Sequence, residues 1–242
     1  MFTSETKIRT HKLMPRGLAC LTWIAFQYAI RLDQLQRLLL RSTPEQDRTK
    51  LKPGAQALSL DRTYEIINKW LALSLIEKAT ILHGDKLWIW LTRAGLRTVG
   101  LNFTSSGAPS SIRLSHLYYI NQIRLDIEAR RPGDHWKSER EIRKETPPVA
   151  KGESQPHIPD AILTNASNGK VSALEIEIHA KTDDELENDM RELAVTFKSI
   201  WYFTTSTTRR QIETMLDTFT PQMRKPFRLY DLKEYGNEYG IS

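Results

Sequence analysis

The chain has 242 residues, 40% hydrophobic and 26% charged, with a net charge of +6. That length accommodates two domains of ordinary size or one large one, and no apolar run approaches the roughly 18 residues of a membrane span. A single cysteine, Cys20, excludes an internal disulfide or a multi-cysteine zinc site and points to a reducing cytoplasm.

The start, MFTSETKIRTHKLMPRGLACLTW, is basic but interrupted by polar residues, unlike a secretory signal. The charge is unevenly spread. Residues 1–102 hold 16 Lys and Arg against 8 Asp and Glu, a net of +8, whereas residues 103–242 hold 19 against 21, a net of −2. The basic half calls for a polyanionic partner.

RGLACLTWIAFQYA (16–29) and RLDQLQRLLL (31–40) have helical apolar spacing, with Cys20 reading as core rather than nucleophile. SLDRTYEIINKWLALSL (59–75) opens on Ser59 as an N-cap and sets Leu60, Tyr64, Ile67 and Leu71 on one helical stripe. LIEKATIL and KLWIWLT flank His83-Gly84-Asp85, where Gly84 supplies the positive φ of a tight hairpin. TRAGLRTVG, capped by Thr92, forms a last short helix. This order predicts a winged helix-turn-helix, with the third helix in the major groove and the hairpin as wing. Arg62, Thr63, Glu65, Asn68 and Lys69, away from the stripe, and Lys86 on the wing are the candidate contacts to double-stranded DNA. Trp88 and Trp90 share a strand face and read as packing rather than base stacking. The same order also serves protein contacts, but the +8 charge favours DNA.

NFTSSGAPSS (102–111) is a linker by composition, giving a DNA-binding domain over 1–101, a linker over 102–112 and a second domain over 113–242. In that domain LSHLYYINQIRLDIEAR (114–130) is helical, with Asn121, Arg124 and Glu128 along one side. HWKSEREIRKE (135–145) reads as a strand and ETPPVAKGESQPH (145–157) as a surface loop. HIPDAILTN (157–165) and KVSALEIEIHAK (170–181) form two strands joined at Asn168-Gly169. A helix over 182–200, a strand over 201–205, and a further helix and strand in TRRQIETMLDTF and FRLYDL complete an α+β fold with a mixed sheet.

Within ALEIEIHAK (173–181), Leu174, Ile176, Ile178 and Ala180 alternate with Glu175, Glu177, His179 and Lys181. Such alternation also describes a strand with one solvated face. However, Pro159-Asp160, fourteen intervening residues and then Glu175-Ile176-Glu177 together resemble the PD-(D/E)XK nuclease core. The resemblance implies Mg²⁺ or Mn²⁺ on Asp160 and Glu175, polarising a phosphodiester and activating water. That family has Lys where this chain has Glu177. Three readings follow: Glu177 as an added metal ligand, Lys181 as the supplied ammonium, or a site that binds nucleic acid without cutting. His179 reads as a surface histidine. For the earlier acid of such a site, Glu139 is preferred over Glu141 and Glu128, because WKSEREIR looks like the segment before the PD strand in the replication-relaxation family of plasmid and mobile-element proteins.

The resemblance to that family spans about residues 16–205 and lies chiefly in motif order. It implies a cytoplasmic, nucleoid- or plasmid-associated DNA nickase or endonuclease with Glu139, Asp160, Glu175, Glu177 and Lys181 in its site. A homodimer and replication or mobilisation proteins are the partners it implies. The alternative is a non-catalytic accessory or regulatory protein whose nuclease-like half serves dimerisation or docking.

Overall fold

The computed structural model describes residues 13–48, 51–104, 106–149 and 156–235. Two compact units, Met1–Leu117 and Tyr118–Ser242, divide the chain. The stretch 150–155 of the expected surface loop and the basic start, 1–12, lie outside the described residues.

The first unit runs α1 (Pro15–Gln27), β1 (Ala29–Arg31), α2 (Leu32–Arg41), α3 (Glu45–Arg48), α4 (Leu60–Ala72), β2 (Ile76–Ala79), β3 (Trp88–Leu91) and α5 (Arg93–Thr98). Its strands form an antiparallel sheet in the order β1-β3-β2. The expected helix 16–29 is shorter: Tyr28 turns the chain at φ +77, and Ala29–Arg31 then pair with Trp88–Trp90 as a strand. Ser59 occupies the N-cap of α4 without a side-chain cap bond.

The buried stripe of α4 is Thr63, Ile67 and Trp70, whereas Leu60 is 49% exposed. The helix is therefore rotated from its expected face. The bulky Trp70 indole is buried beside Gly17 of α1, where a Cβ would meet its Nε1 at 3.5 Å, an ordinary van der Waals distance. Thr63 turns inward with it, and its hydroxyl donates to the Ser59 carbonyl at 2.9 Å.

Ala79 pairs with Trp88, so residues 80–87 make a longer loop than the expected tight turn, with Gly84 at φ +79. Trp88 and Trp90 are buried and donate from Nε1 to Asp85 and Glu77 at 2.8 and 3.0 Å. The buried Arg31 guanidinium grips both oxygens of Asp33, at 2.8 and 2.6 Å, and lies 3.6 Å from Asp85. Burial alone would raise the Asp33 pKa, but the bonds and charge of Arg31, with the charge of Lys86, hold it below its ordinary value. The loop is thereby tied to the start of α2.

In the second unit α6 (Leu114–Arg130), which begins just before the break, leads to β4 (His135–Ser138), α7 (Glu139–Glu145), β5 (Ala161–Thr164), β6 (Val171–Glu177), α8 (Asp183–Thr196), β7 (Ile200–Thr204), α9 (Ser206–Thr218), α10 (Pro221–Arg224) and β8 (Phe227–Asp231). The mixed sheet has the order β4-β5-β6-β7-β8. Its first three strands are antiparallel, while β7 and β8 join parallel after helical crossovers. The strand expected over 135–145 stops at Ser138. There Ser138 and Glu141 form a capping box that starts α7, so Glu139 and Glu141 lie on a helix.

Ala173, Ile200, Tyr202 and Phe227 present one sheet face to Leu186, Met190 and Leu193 of α8, to Ile212 and Met215 of α9 and to Phe219 at its C-cap. On the other face Arg124 and Arg131 stack over Trp136 and Trp201, at 5.9 and 5.2 Å. Among the described residues no helix is long and apolar enough to cross a membrane.

Helix α5 is held close to the first unit's sheet. Thr92 Oγ1 caps it by accepting from the Gly95 N–H at 3.0 Å, and a Cβ on Gly95 would lie 2.0 Å from the Leu75 carbonyl oxygen. That carbonyl accepts from the Thr92 N–H and cannot yield without breaking the turn. Gly95→Ala is expected to cost about 3 kcal/mol or more, read as a lower urea midpoint for the first unit's unfolding.

Candidate acidic site

The alternation of β6 carries Ala173, Glu175 and Glu177 to the face covered by α8 and α9. Glu175 is 3% exposed and Glu177 7%. The reading of this strand as one with a solvated face is thus corrected: its acids are packed inside.

The sheet register brings further acids alongside. Ala161 pairs with Leu174, which sets Asp160, one step earlier, opposite Glu175. Asp160 Oδ2 accepts from the Ile176 N–H at 2.8 Å. Ser138 pairs with Ala161, and the ladder continues as the Glu139 N–H donates to the Asp160 carbonyl at 3.0 Å. Glu139, Asp160 and Glu175 therefore stand at one level on three adjacent segments. The Glu139 carboxylate, however, takes the Arg143 Nε at 2.7 Å. Glu141 Oε2 accepts from the backbone and hydroxyl of Ser138, and Glu128 pairs with Arg124 at 2.8 Å.

Strand β6 ends at Glu177, and the following loop returns Lys181 to it. Lys181 Nζ lies 2.5 Å from Glu177 Oε1 and 2.9 Å from Asp189 Oδ2 on α8. The loop is pinned because Thr208 Oγ1 and Gln211 Nε2, both from α9, donate to the carbonyls of Glu177 and Lys181, each at 2.7 Å. His179 is exposed and outside the cluster.

Two members escape a reading by motif. His157 bridges Glu175 Oε1, 2.9 Å from Nε2, and Asp189 Oδ1, 3.1 Å from Nδ1. Its only sequence signal is the His-Ile-Pro-Asp spacing. Asp189 abuts Met190 and follows Leu186 on the buried stripe of α8, and an acid flanking such a stripe is the signal that marks it.

Burial, and then the charge of Asp160, push the Glu175 carboxyl up to about 8. Burial also raises Glu177, against the pull of Lys181. For His157 burial acts downward, but the bond and charge of Glu175 and the charge of Asp189 prevail and raise it. Lys181 rises likewise, burial being outweighed by Glu177 and Asp189. Among the described residues, the cluster brings the acids Asp160, Glu175, Glu177 and Asp189 together with His157 and Lys181.

Among the described residues no three His, Cys, Asp or Glu side chains converge as a metal cage. Magnesium does not require such a cage: it is held by one or two carboxylates and keeps several waters. The two acids that the register sets opposite each other are Asp160 and Glu175.

In the first unit Arg62, Glu65, Asn68 and Lys69 are exposed on α4. Lys86 is exposed on the β2–β3 loop, 3.5 Å from Asp33. Thr63, expected among the DNA contacts, is fully buried and has no access to a duplex.

Because the folded protein holds the Glu175 proton above its ordinary value of 4.5, this group's contribution to stability falls as pH rises from about 4.5 to about 8. Glu175→Gln removes the buried charge. At pH 9 it is expected to be more stable than the parent by at least about 1.4 kcal/mol, the worth of one pKa unit, with the gap closing by pH 5 in paired denaturation curves. Comparison with family models and with curated proteins finds no match to this chain.

Proposed function

We propose that this protein binds duplex DNA through a winged helix-turn-helix in its first unit and nicks or cuts it with a metal-dependent, PD-(D/E)XK-like second unit. The observation that carries this reading is the level row of Glu139, Asp160 and Glu175 on three adjacent segments, beside the group of Glu177, Asp189, His157 and Lys181. The α-β-β-β-α-β order from α6 to β7 supports it, the intervening short α7 aside. So does the α-β-α-α-β-β order from α1 to β3 in the first unit, the four-residue α3 aside, with β1 pairing β3.

On this reading Asp160 and Glu175 hold a magnesium or manganese ion, which when bound polarises the phosphodiester and lowers the pKa of an attacking water. Lys181 replaces the strand lysine that Glu177 displaces, and its ammonium orients that water. Glu177 and Asp189 fix the ammonium in place. Glu139 extends the acidic row once its carboxylate leaves Arg143. Arg62, Asn68, Lys69 and Lys86 neutralise phosphates or meet base edges. A role in replication, mobilisation or other processing of a plasmid or mobile element follows from the same resemblance.

One observation favours a second reading. His157 and Lys181 already pair with Glu175 and Glu177, as they would in a non-catalytic accessory or regulatory protein. Supercoiled plasmid incubated with the protein and Mg²⁺ distinguishes the two. Nicked circles are expected, with the rate falling at least about 100-fold in Asp160→Ala and Glu175→Ala while duplex affinity is kept. Intact plasmid with tight binding selects the accessory reading. Independently, Arg62→Ala with Lys69→Ala is expected to make the dependence of log K on log salt shallower, by about 0.9 for each phosphate left without its cation, measured by fluorescence anisotropy.

A further inference from the structure

We propose that a pocket at the β5–β6 hairpin end of the second unit's sheet seats a backbone phosphate of DNA, with Arg131 and Lys170 as its cations. The inference rests on the DNA-binding reading for the source of the phosphate and is independent of any metal ion.

Leu163 pairs with Ser172 and Leu174 with Trp201, so Leu163, Ser172 and Trp201 share the sheet face turned away from Ala173, Glu175 and Glu177. They sit toward the start of β6, whereas the acids lie toward its end. These three line a pocket of about 190 Å³, and Arg131, Asn168 and Lys170 line it as well. Its floor is fixed, because the Ser199 hydroxyl receives the Ser172 Oγ at 3.0 Å and the Trp201 indole N–H at 3.1 Å. Arg131 lies over the Trp201 ring at 5.2 Å. That stack engages the face of the guanidinium and leaves its N–H edge for an oxyanion. The hairpin is fixed too. Asn165 Oδ1 accepts from the Ser167 and Asn168 N–H groups at 3.1 and 3.2 Å, and Asn168 Oδ1 accepts from the Lys170 N–H at 2.9 Å. With its oxygen engaged by the turn, the Asn168 carboxamide has its N–H donors left for a ligand. Arg131 and Lys170 are exposed, and among the described residues neither forms an ion pair. Asp134, three residues after Arg131, is held by the turn instead, accepting from the Ala166 N–H at 2.9 Å and from Asn165 Nδ2 at 3.4 Å. Two cations and an amide donor with no acid between them suit a phosphate. Pockets that enclose a whole small ligand measure about 300–1,000 Å³, so this smaller one takes a single group and leaves the rest of a larger anion outside.

The full-length protein and a variant carrying Arg131→Gln with Lys170→Gln would be titrated against labelled duplex by fluorescence anisotropy over a salt series, with circular dichroism confirming folding. The variant is expected to bind roughly tenfold more weakly at fixed salt, with a log K against log salt slope shallower by about 0.9 for the phosphate given up. Arg131→Lys with Lys170→Arg keeps both charges and is expected to bind as the parent does. Lys233→Gln removes an exposed cation just past the far end of β8 and is expected to change neither quantity. In fluorotryptophan-labelled protein, the Trp201 ¹⁹F signal, identified by its absence in Trp201→Phe, is expected to shift as duplex saturates the parent. Parental affinity and slope in the Arg131→Gln, Lys170→Gln variant, an equal loss in Lys233→Gln, or a Trp201 signal unmoved by saturating duplex overturns the pocket's role while leaving the first unit's DNA binding standing. A Trp201 shift produced by inorganic phosphate and not by duplex overturns DNA as the source of the group. Absence of duplex binding in the parent overturns the DNA reading itself and this inference with it.

Discussion

Burial of Glu175 and Glu177 on the helix-covered face of β6 is the constraint around which the second unit is organised. Leucine at either position would satisfy the same strand pattern and join the neighbouring core of Ala173, Tyr202 and Met190. A buried carboxylate instead carries a desolvation penalty of several kcal/mol unless it is paired. The surroundings are arranged for that pairing. Strand β6 stops at Glu177, the next loop folds Lys181 back, α9 pins the loop through Thr208 and Gln211, and α8 contributes Asp189. Since apolar residues would be at least as stable there, stability alone does not account for these two acids, and buried groups with displaced pKa values concentrate at functional sites.

The first unit offers an internal contrast. Its own buried ionic group places Arg31 and Lys86 against Asp33 and Asp85, two cations for two acids, and Asp33 is accordingly held in its charged form, below its ordinary pKa. That is the electrostatic profile of a fastener. The group around Glu175 moves its central carboxyl in the opposite direction, up to about 8, because burial and the charge of Asp160 outweigh the bond from His157. The two networks use similar residue types, so composition does not separate them. The direction in which each shifts its buried acid does.

Much of this was legible in the amino-acid order. Period-two spacing identified β6 and its two faces, Thr92 announced α5, and the helices near 114–130 and 182–200 follow from their apolar spacing, the latter ending four residues early. Three features were not legible, each for its own reason. Strand β1 exists only through its pairing with Trp88–Trp90, which joins segments more than fifty residues apart. The rotation of α4 buries Thr63 and Trp70, the latter beside Gly17, in place of the more regular Leu60-Tyr64-Leu71 stripe. The helix over 139–145 begins because Glu141 completes a cap on Ser138, although the alternating charges there imitate a strand. At the site, Asp160 and Glu175 were visible by spacing. His157 and Asp189 join only once β5, β6 and α8 are assembled.

The position of the lysine illustrates the same point chemically. A strand residue two places after Glu175 would project from the same sheet face, and here that place holds Glu177. An ammonium nevertheless arrives, because a four-residue excursion through the exposed His179 and Ala180 reverses the chain and sets Lys181 Nζ on the Glu177 carboxylate. Catalytic chemistry depends on where a charge lies, not on which residue of the strand carries it. The loop lysine is in turn shared, since its ammonium also meets Asp189 on α8. Asp189 is itself bridged to Glu175 by the His157 ring, so strand, loop and helix are joined through side chains whose burial would otherwise carry a desolvation penalty.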